Sequence, residues 1–128
     1  MTAELLPKED ERVLFLRNSV VPDPNKSHDY IIDLKGKMPD AKILLRYVPD
    51  QLIIPLDKFN KYLKFFKDVK SCEKIAGIIL DDINNELLPS WIHVEVKSKK
   101  DDTKQHVVIE DSQPGWNNKE LLTRLKRI

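Results

Sequence analysis

Cys72 and Glu73 stand next to each other directly after Ser71, at the head of an apolar series that recurs at helical steps: Ile75, Ala76, Ile79, Leu80, Ile83 and Leu87. That periodicity predicts a helix over 71–88, with Ser71 as its cap and Pro89 as its stop. Glu73 falls in the first turn, where the helix dipole favours a negative charge, and it is the acidic residue best placed to hold a ligand. Its plainer reading is a carboxylate that only answers the dipole. Cys72 is a candidate nucleophile, because thiols at helix N-termini are often reactive. Its plainer reading is a small core residue on the stripe. His28, His93 and His106 share no ligand-like spacing, and a single cysteine gives them no help, so no metal is expected. Lys97, Lys99, Lys100 and Lys104 form a basic run that suits either phosphates or a solvated hairpin tip. No glycine-rich phosphate loop and no serine-nucleophile motif is present.

The elements that must carry these side chains can be read from the pattern. Pro55 and the stripe Leu56, Phe59, Leu63 and Phe66 predict a helix over 55–69, with Pro55 in its first helical position. Upstream, 29–35 reads as a strand, 36–40 as a five-residue turn, and 41–48 as a second strand with Ile43, Leu45 and Tyr47 on one face. Downstream, 91–99 alternates, with Ile92, Val94 and Val96 on one face and Trp91, His93, Glu95 and Lys97 on the other. A charged turn follows, and 105–110 closes a second hairpin. The order is ββααββ: an α+β fold with one antiparallel sheet and both helices on one face. Residues 1–27 are expected to be an N-terminal arm, 28–112 a single domain, and 113–128 a C-terminal tail with a short helix over Leu121, Leu122 and Leu125.

Bulk properties bound the function. Twenty-two Lys+Arg against 21 Asp+Glu leave a net charge of +1, so there is no global pull toward nucleic acid or an acidic membrane. At 128 residues the chain suits one domain with a real core. One cysteine fits a reducing compartment. With no signal-like N-terminus and no long apolar run, the expected location is the cytoplasm, with no membrane contact.

The ββααββ order resembles the tunnelling fold (T-fold), whose subunits close into a barrel of strands. Several strings in order then resemble one family within it, the 7-cyano-7-deazaguanine reductases of queuosine biosynthesis and their archaeal relatives that make archaeosine in transfer RNA. Pro24-Asn25 with Asp29-Tyr30 resembles the entry to that family's first strand. Lys35 to Asp40 resembles its glycine–glutamine–proline–aspartate loop, and Tyr47-Val48-Pro49-Asp50 the end of its second strand. Cys72-Glu73 falls where the family has histidine–glutamate, and Pro89 to Val94 resembles its proline–tryptophan entry to the third strand. The resemblance covers residues 24–110. It implies that Glu73 binds the edge of a guanine-like base, that Asp40 acts in proton transfer, and that the protein is a ring-shaped homo-oligomer acting on a guanine-like small molecule or on tRNA. A carboxylate accepting two parallel N–H bonds from such an edge is chemically apt.

Two departures narrow the activity that the resemblance implies. The family's nucleophilic cysteine precedes the aspartate loop, and here no cysteine lies upstream of Cys72. The reductases carry a glutamate–serine–lysine–serine motif for NADPH at the start of the first helix, where this chain has Pro55-Leu56-Asp57-Lys58. No cofactor is therefore expected from the residues; NADPH enters by resemblance alone. Nitrile reduction and amidine-forming transfer to tRNA both require the thiol. The alternative is a non-catalytic tRNA-binding or assembly subunit of the same fold.

Overall fold

Strands β3 (Ala41–Val48) and β5 (Trp91–Lys100) form the centre of a four-stranded antiparallel sheet. Strands β2 (Ile32–Met38) and β6 (Thr103–Ser112) lie on its edges, in the order β2-β3-β5-β6. The computed structural model describes residues 9–124. Between the hairpins run α2 (Leu56–Leu63), a 3₁₀ turn (Lys64–Phe66) and α3 (Cys72–Leu87). The expected ββααββ order is thus present as an α+β fold. A short ladder pairs β1 (Val21–Pro22) with β4 (Leu52–Ile53) outside the main sheet. No helix among the described residues is long and apolar enough to cross a membrane.

Alternation decides which side of the sheet the helices cover. Ile43, Leu45 and Tyr47 on β3 meet Ile92, Val94 and Val96 on β5, and all six are almost fully buried. Phe59, Tyr62, Leu63 and Phe66 cover them from α2 and the turn after it, and Ile75, Ile79, Ile83 and Leu87 from α3. The opposite face carries Lys42, Arg46, His93, Glu95 and Lys97.

Several boundaries differ from the sequence expectation. The first hairpin turn is two residues, Pro39 and Asp40, not five, because β2 continues through Gly36 to Met38. Glycine is favoured there by close approach of the Leu63 side chain. A Cβ at Gly36 would run into Cδ1 of Leu63 and sit 3.6 Å from Cε2 of Phe59. Pro55 caps α2 in an extended conformation and is not its first helical residue. Ser71 caps α3, its hydroxyl accepting from the backbone N–H of Lys74. The helix ends on Leu88 at φ 50°, one residue before Pro89. The second hairpin is also tighter and longer than expected, turning at Asp101 and Asp102 with Asp101 at φ 56°.

Within 1–27, residues 1–8 lie outside the described residues; the rest includes α1 (Glu9–Ser19), which packs on α2 and α3. Leu16 is completely buried in the core cluster. Arg12 reaches Asp82 with Nε at 2.5 Å and Nη2 at 3.1 Å, while the Tyr62 hydroxyl donates to the same carboxylate at 2.6 Å. Burial and the charge of Asp82 push the Tyr62 phenol well above its ordinary value. At the other end, α4 (Lys119–Thr123) carries Leu121 and Leu122, and Leu125 lies outside the described residues.

This packing sets two expectations for stability. Gly36→Ala should cost about 1–3 kcal/mol in urea denaturation through overpacking against Leu63. Combined with Leu63→Ala, it should cost less than the sum of the two single changes. Arg12→Met leaves Asp82 charged and buried without its partner, and should cost about 3–5 kcal/mol by the same measurement.

Candidate functional site

The tips of both hairpins and the start of α3 meet at one end of the sheet. A cleft of about 360 Å³ opens there, lined by Met38, Pro39, Asp40, Cys72, Ser98 and Lys99 among others. That volume is at the lower end of what small-molecule sites offer. Asp40 and Cys72, far apart in sequence, therefore line the same cleft. Asp40 is exposed in the two-residue turn. Cys72 is buried, and its thiol donates to the Ser98 hydroxyl at 3.2 Å. Ser98 is a cleft residue that sequence reasoning missed. Parity was the available signal, because Ser98 continues the helix-facing series Ile92, Val94, Val96.

Glu73 is exposed on the first turn of α3, outside the residues that line this cleft. Its Oε1 accepts from Gln105 Nε2 on β6 at 3.1 Å and from the Ser71 hydroxyl at 3.4 Å. Oε2 has no protein partner among the described residues. A carboxylate has about four lone-pair positions, so capacity for two parallel donors remains.

The opposite face of the sheet holds a second cluster. Glu95 is 7% exposed and lies between two imidazoles, with His93 Nε2 at 2.8 Å and His106 Nε2 at 2.5 Å. Burial pushes the Glu95 carboxyl up. Hydrogen bonds and charge from His93 and then His106 outweigh this and hold it below the usual carboxylate range. No group of three or more His, Cys, Asp and Glu side chains with metal-holding geometry occurs among the described residues. The convergence of His93 and His106 is hidden in the sequence, because it depends on register: His106 pairs with Lys97 and His93 with Glu110.

Lys35, Lys37, Lys42 and Lys97 line, together with Glu95, a cleft of about 540 Å³ on this face. Nearer the hairpin tips, Lys37, Lys42 and Lys97 also line a wider cleft of about 620 Å³ with Lys99, Lys104 and His106. At the start of α2, where the resemblance would put a cofactor motif, Leu56 is 64% exposed and Asp57 adds a negative charge to the first turn. Lys58 follows in the same turn, and neither serine of that motif has a counterpart here.

Comparison with known proteins bears on what this geometry serves. The QueF-like protein family matches residues 39–113. A relative from Prochlorococcus marinus (strain MIT 9312) is 30% identical over 98 residues, covering 67% of this chain and 68% of that one. Another, from strain AS9601, is 33% identical over 84 residues, and the match spans 56% of this chain and 62% of the relative's length. One from Acidithiobacillus ferrooxidans (strain ATCC 23270) is 25% identical over 119 residues, 83% of this chain and 84% of that one. All three are named NADPH-dependent 7-cyano-7-deazaguanine reductase. Among solved structures, the apo archaeosine synthase QueF-Like gives a TM-score of 0.48 at 19% identity, over 72% of this chain and 92% of that one.

The glutamate between the imidazoles gives a pH prediction with a definite sign. Its folded pKa lies below the unfolded value, so its contribution is present above about pH 4.3 and is lost as pH falls through the folded value. The difference in Tm between wild type and Glu95→Gln should therefore be largest above about pH 5 and shrink on acidification below about pH 4.

Proposed function

The chain belongs to the QueF-like protein family, and from that premise we propose that it binds a guanine-like base of the 7-deazaguanine type through the carboxylate of Glu73. The observation that carries this reading is the state of that side chain. Glu73 is exposed at a helix start, oriented by Gln105 and Ser71 through Oε1, with Oε2 left for a ligand. The N–H groups along a guanine-like edge are parallel donors, and a carboxylate is their matching acceptor. The relatives' printed name, with its deazaguanine substrate, supports that choice of ligand.

In this reading Asp40 is the group for proton transfer at the neighbouring cleft, and Cys72 is the thiol within reach of the same space. The thiol is already engaged as a donor to Ser98, so the reading is a binding site first. Nicotinamide chemistry is not part of this reading, which concerns the base-binding carboxylate. Residues of a second subunit complete the pocket. The edge strands β2 and β6 each have one side outside the sheet's pairing, and a ring-shaped homo-oligomer would use those edges.

Titration calorimetry with 7-cyano-7-deazaguanine tests the claim. Wild type should bind. Glu73→Gln should weaken the Kd about ten- to a hundredfold, the worth of a hydrogen bond to a charged group. Absence of heat with wild type, or unchanged affinity in the variant, would remove Glu73 from the role.

A further inference from the structure

Both tryptophans of the chain line one cleft of about 400 Å³, together with Glu110, Asp111 and Leu122. Trp91 opens β5 and pairs with Ser112, the last residue of β6, so this cleft lies at the end of the sheet away from the hairpin tips. Strand β5 is 10 residues long, which at about 3.4 Å per residue puts the cleft about 30 Å from those tips. The segment that carries Trp116 is held in place by specific bonds. Gln113 donates its backbone N–H to the Ser90 carbonyl at 2.9 Å and its side-chain Nε2 to the Pro89 carbonyl at 3.2 Å. Pro114 and Gly115 follow with the signature of a type II turn. The N–H of Trp116 donates to the Gln113 carbonyl at 3.2 Å, and Gly115 stands at φ 81°, which glycine adopts without strain. Asp29 Oδ2 then accepts from Trp116 Nε1 at 3.3 Å and from Asn118 Nδ2 at 3.2 Å. On the sheet, Trp91 Nε1 donates to Glu110 Oε2 at 3.0 Å. Both indole N–H groups are thus committed to orienting their rings. Trp91 is 4% exposed and stacked on His93, so it is the floor of the cleft, and the half-buried Trp116 is a wall.

Charge in this cleft has one sign. Glu110 and Asp111 line it, and no lysine, arginine or histidine among the described residues does. Asp111 is taken up by Asn84 Nδ2 at 3.0 Å and by the N–H of Ser112 at 2.9 Å. Glu110 is exposed, and its Oε1 has no protein partner among the described residues. We propose that the cleft binds an alkylammonium group, with the cation over the Trp116 indole, its N–H donating to Glu110 Oε1, and its methylenes against Leu122. Indole is the strongest aromatic partner for a cation. The carboxylates disfavour an anion, and no group of side chains with metal-holding geometry occurs among the described residues. An apolar wall beside an aromatic one suits the stem of an organic cation, and the volume falls in the range of small-molecule sites. Strand ends form the rim when sheets close into a barrel, so the cleft lies outside the wall that a ring of subunits would enclose. A free aliphatic amine and the lysine side chain of another protein offer the same chemistry, and two probes separate these sources. The inference goes beyond the base-binding reading and does not rest on it.

Titration calorimetry at fixed ionic strength is the test, with diaminopentane as the free amine, acetyl-lysine amide as the side-chain probe, and pentanediol as the neutral control. Both amines are protonated near pH 7. Wild type should bind at least one amine and not the diol, and the tighter amine names the source. Because both indoles line the cleft, binding should also change the intrinsic fluorescence, and Trp91→Phe, which leaves Trp116 as the sole indole, should keep that change. Trp116→Leu should weaken the Kd about two- to thirtyfold, the span of a cation–π contact, and Trp116→Phe by less. Glu110→Gln keeps an acceptor for Trp91 Nε1 and should weaken the Kd about two- to fivefold, as for an exposed ion pair. No heat with either amine, equal heat with the diol, or unchanged affinity in both Trp116→Leu and Glu110→Gln would overturn the proposal. So would a loss of binding that follows a lowered melting temperature in every variant, Trp116→Phe and Glu110→Gln included, which would make these residues structural. Glu73→Gln should bind the amines as wild type does, which separates failure here from failure of base binding.

Discussion

On β5, Ile92, Val94 and Val96 are completely buried against the helices, while His93, Glu95 and Lys97 occupy the intervening positions on the other face. Strand parity has a period of two, so a slip of one residue would exchange the two sets. The slip would turn Glu95, Lys97 and His93 into the apolar layer beneath the helices and move three β-branched side chains onto the polar face, so the register is strongly specified. Everything at the end of the sheet inherits it. Ser98 meets the Cys72 thiol because it shares parity with Val96. Glu95 meets His106, and Lys97 aligns with Lys42, because they share the opposite parity. The core and both faces with chemical potential are consequences of one alternation.

The second fixed point is the buried contact of Arg12 with Asp82. Asp82 lies on α3, flanked by Leu80 and Ile83 of the core, and its carboxylate receives both the Arg12 guanidinium and the Tyr62 hydroxyl. A charge at 6% exposure needs such company, since desolvating it alone is costly. Three helices are thereby tied together: α1 through Arg12, α2 through Tyr62, and α3 through Asp82. Arg17 repeats the link more loosely at the surface, reaching Glu86 one turn further along α3 at 2.8 Å.

These features divide according to what a sequence can carry. The strand over 41–48, the helix opened by Ser71 and the alternation from Trp91 are legible, because each holds an apolar period over at least two turns or four residues. Helix α1 is not, because its buried positions include Arg12 and Ser19 beside Leu16, which breaks the apolar stripe. Gly36 has the look of a turn residue because Pro39 lies close by. Its actual reason is the side chain of Leu63, which no local pattern announces. Pro55 caps its helix instead of beginning it, a difference of one position that local propensity does not resolve. Of the candidate site, the adjacency of Cys72 and Glu73 is visible in the sequence. The meeting of Asp40 with Cys72 in one cleft, the role of Gln105 beside Glu73, and the two histidines on Glu95 depend on cross-strand register and long-range packing.

The cations divide into two kinds. Arg12, Arg17 and Arg46 each pair with a carboxylate, on Asp82, Glu86 and Asp33 respectively. A guanidinium is planar and forked, suited to fixed pairs with carboxylates. The lysines of the open face are compact, strongly hydrated charges on flexible stems, and no described carboxylate takes them up. A protein using its positive charge only for stability would have interleaved those lysines with glutamate across the strands, since opposite charges there are favourable. This sheet instead places glutamate at one position between histidines and leaves the next register line entirely basic.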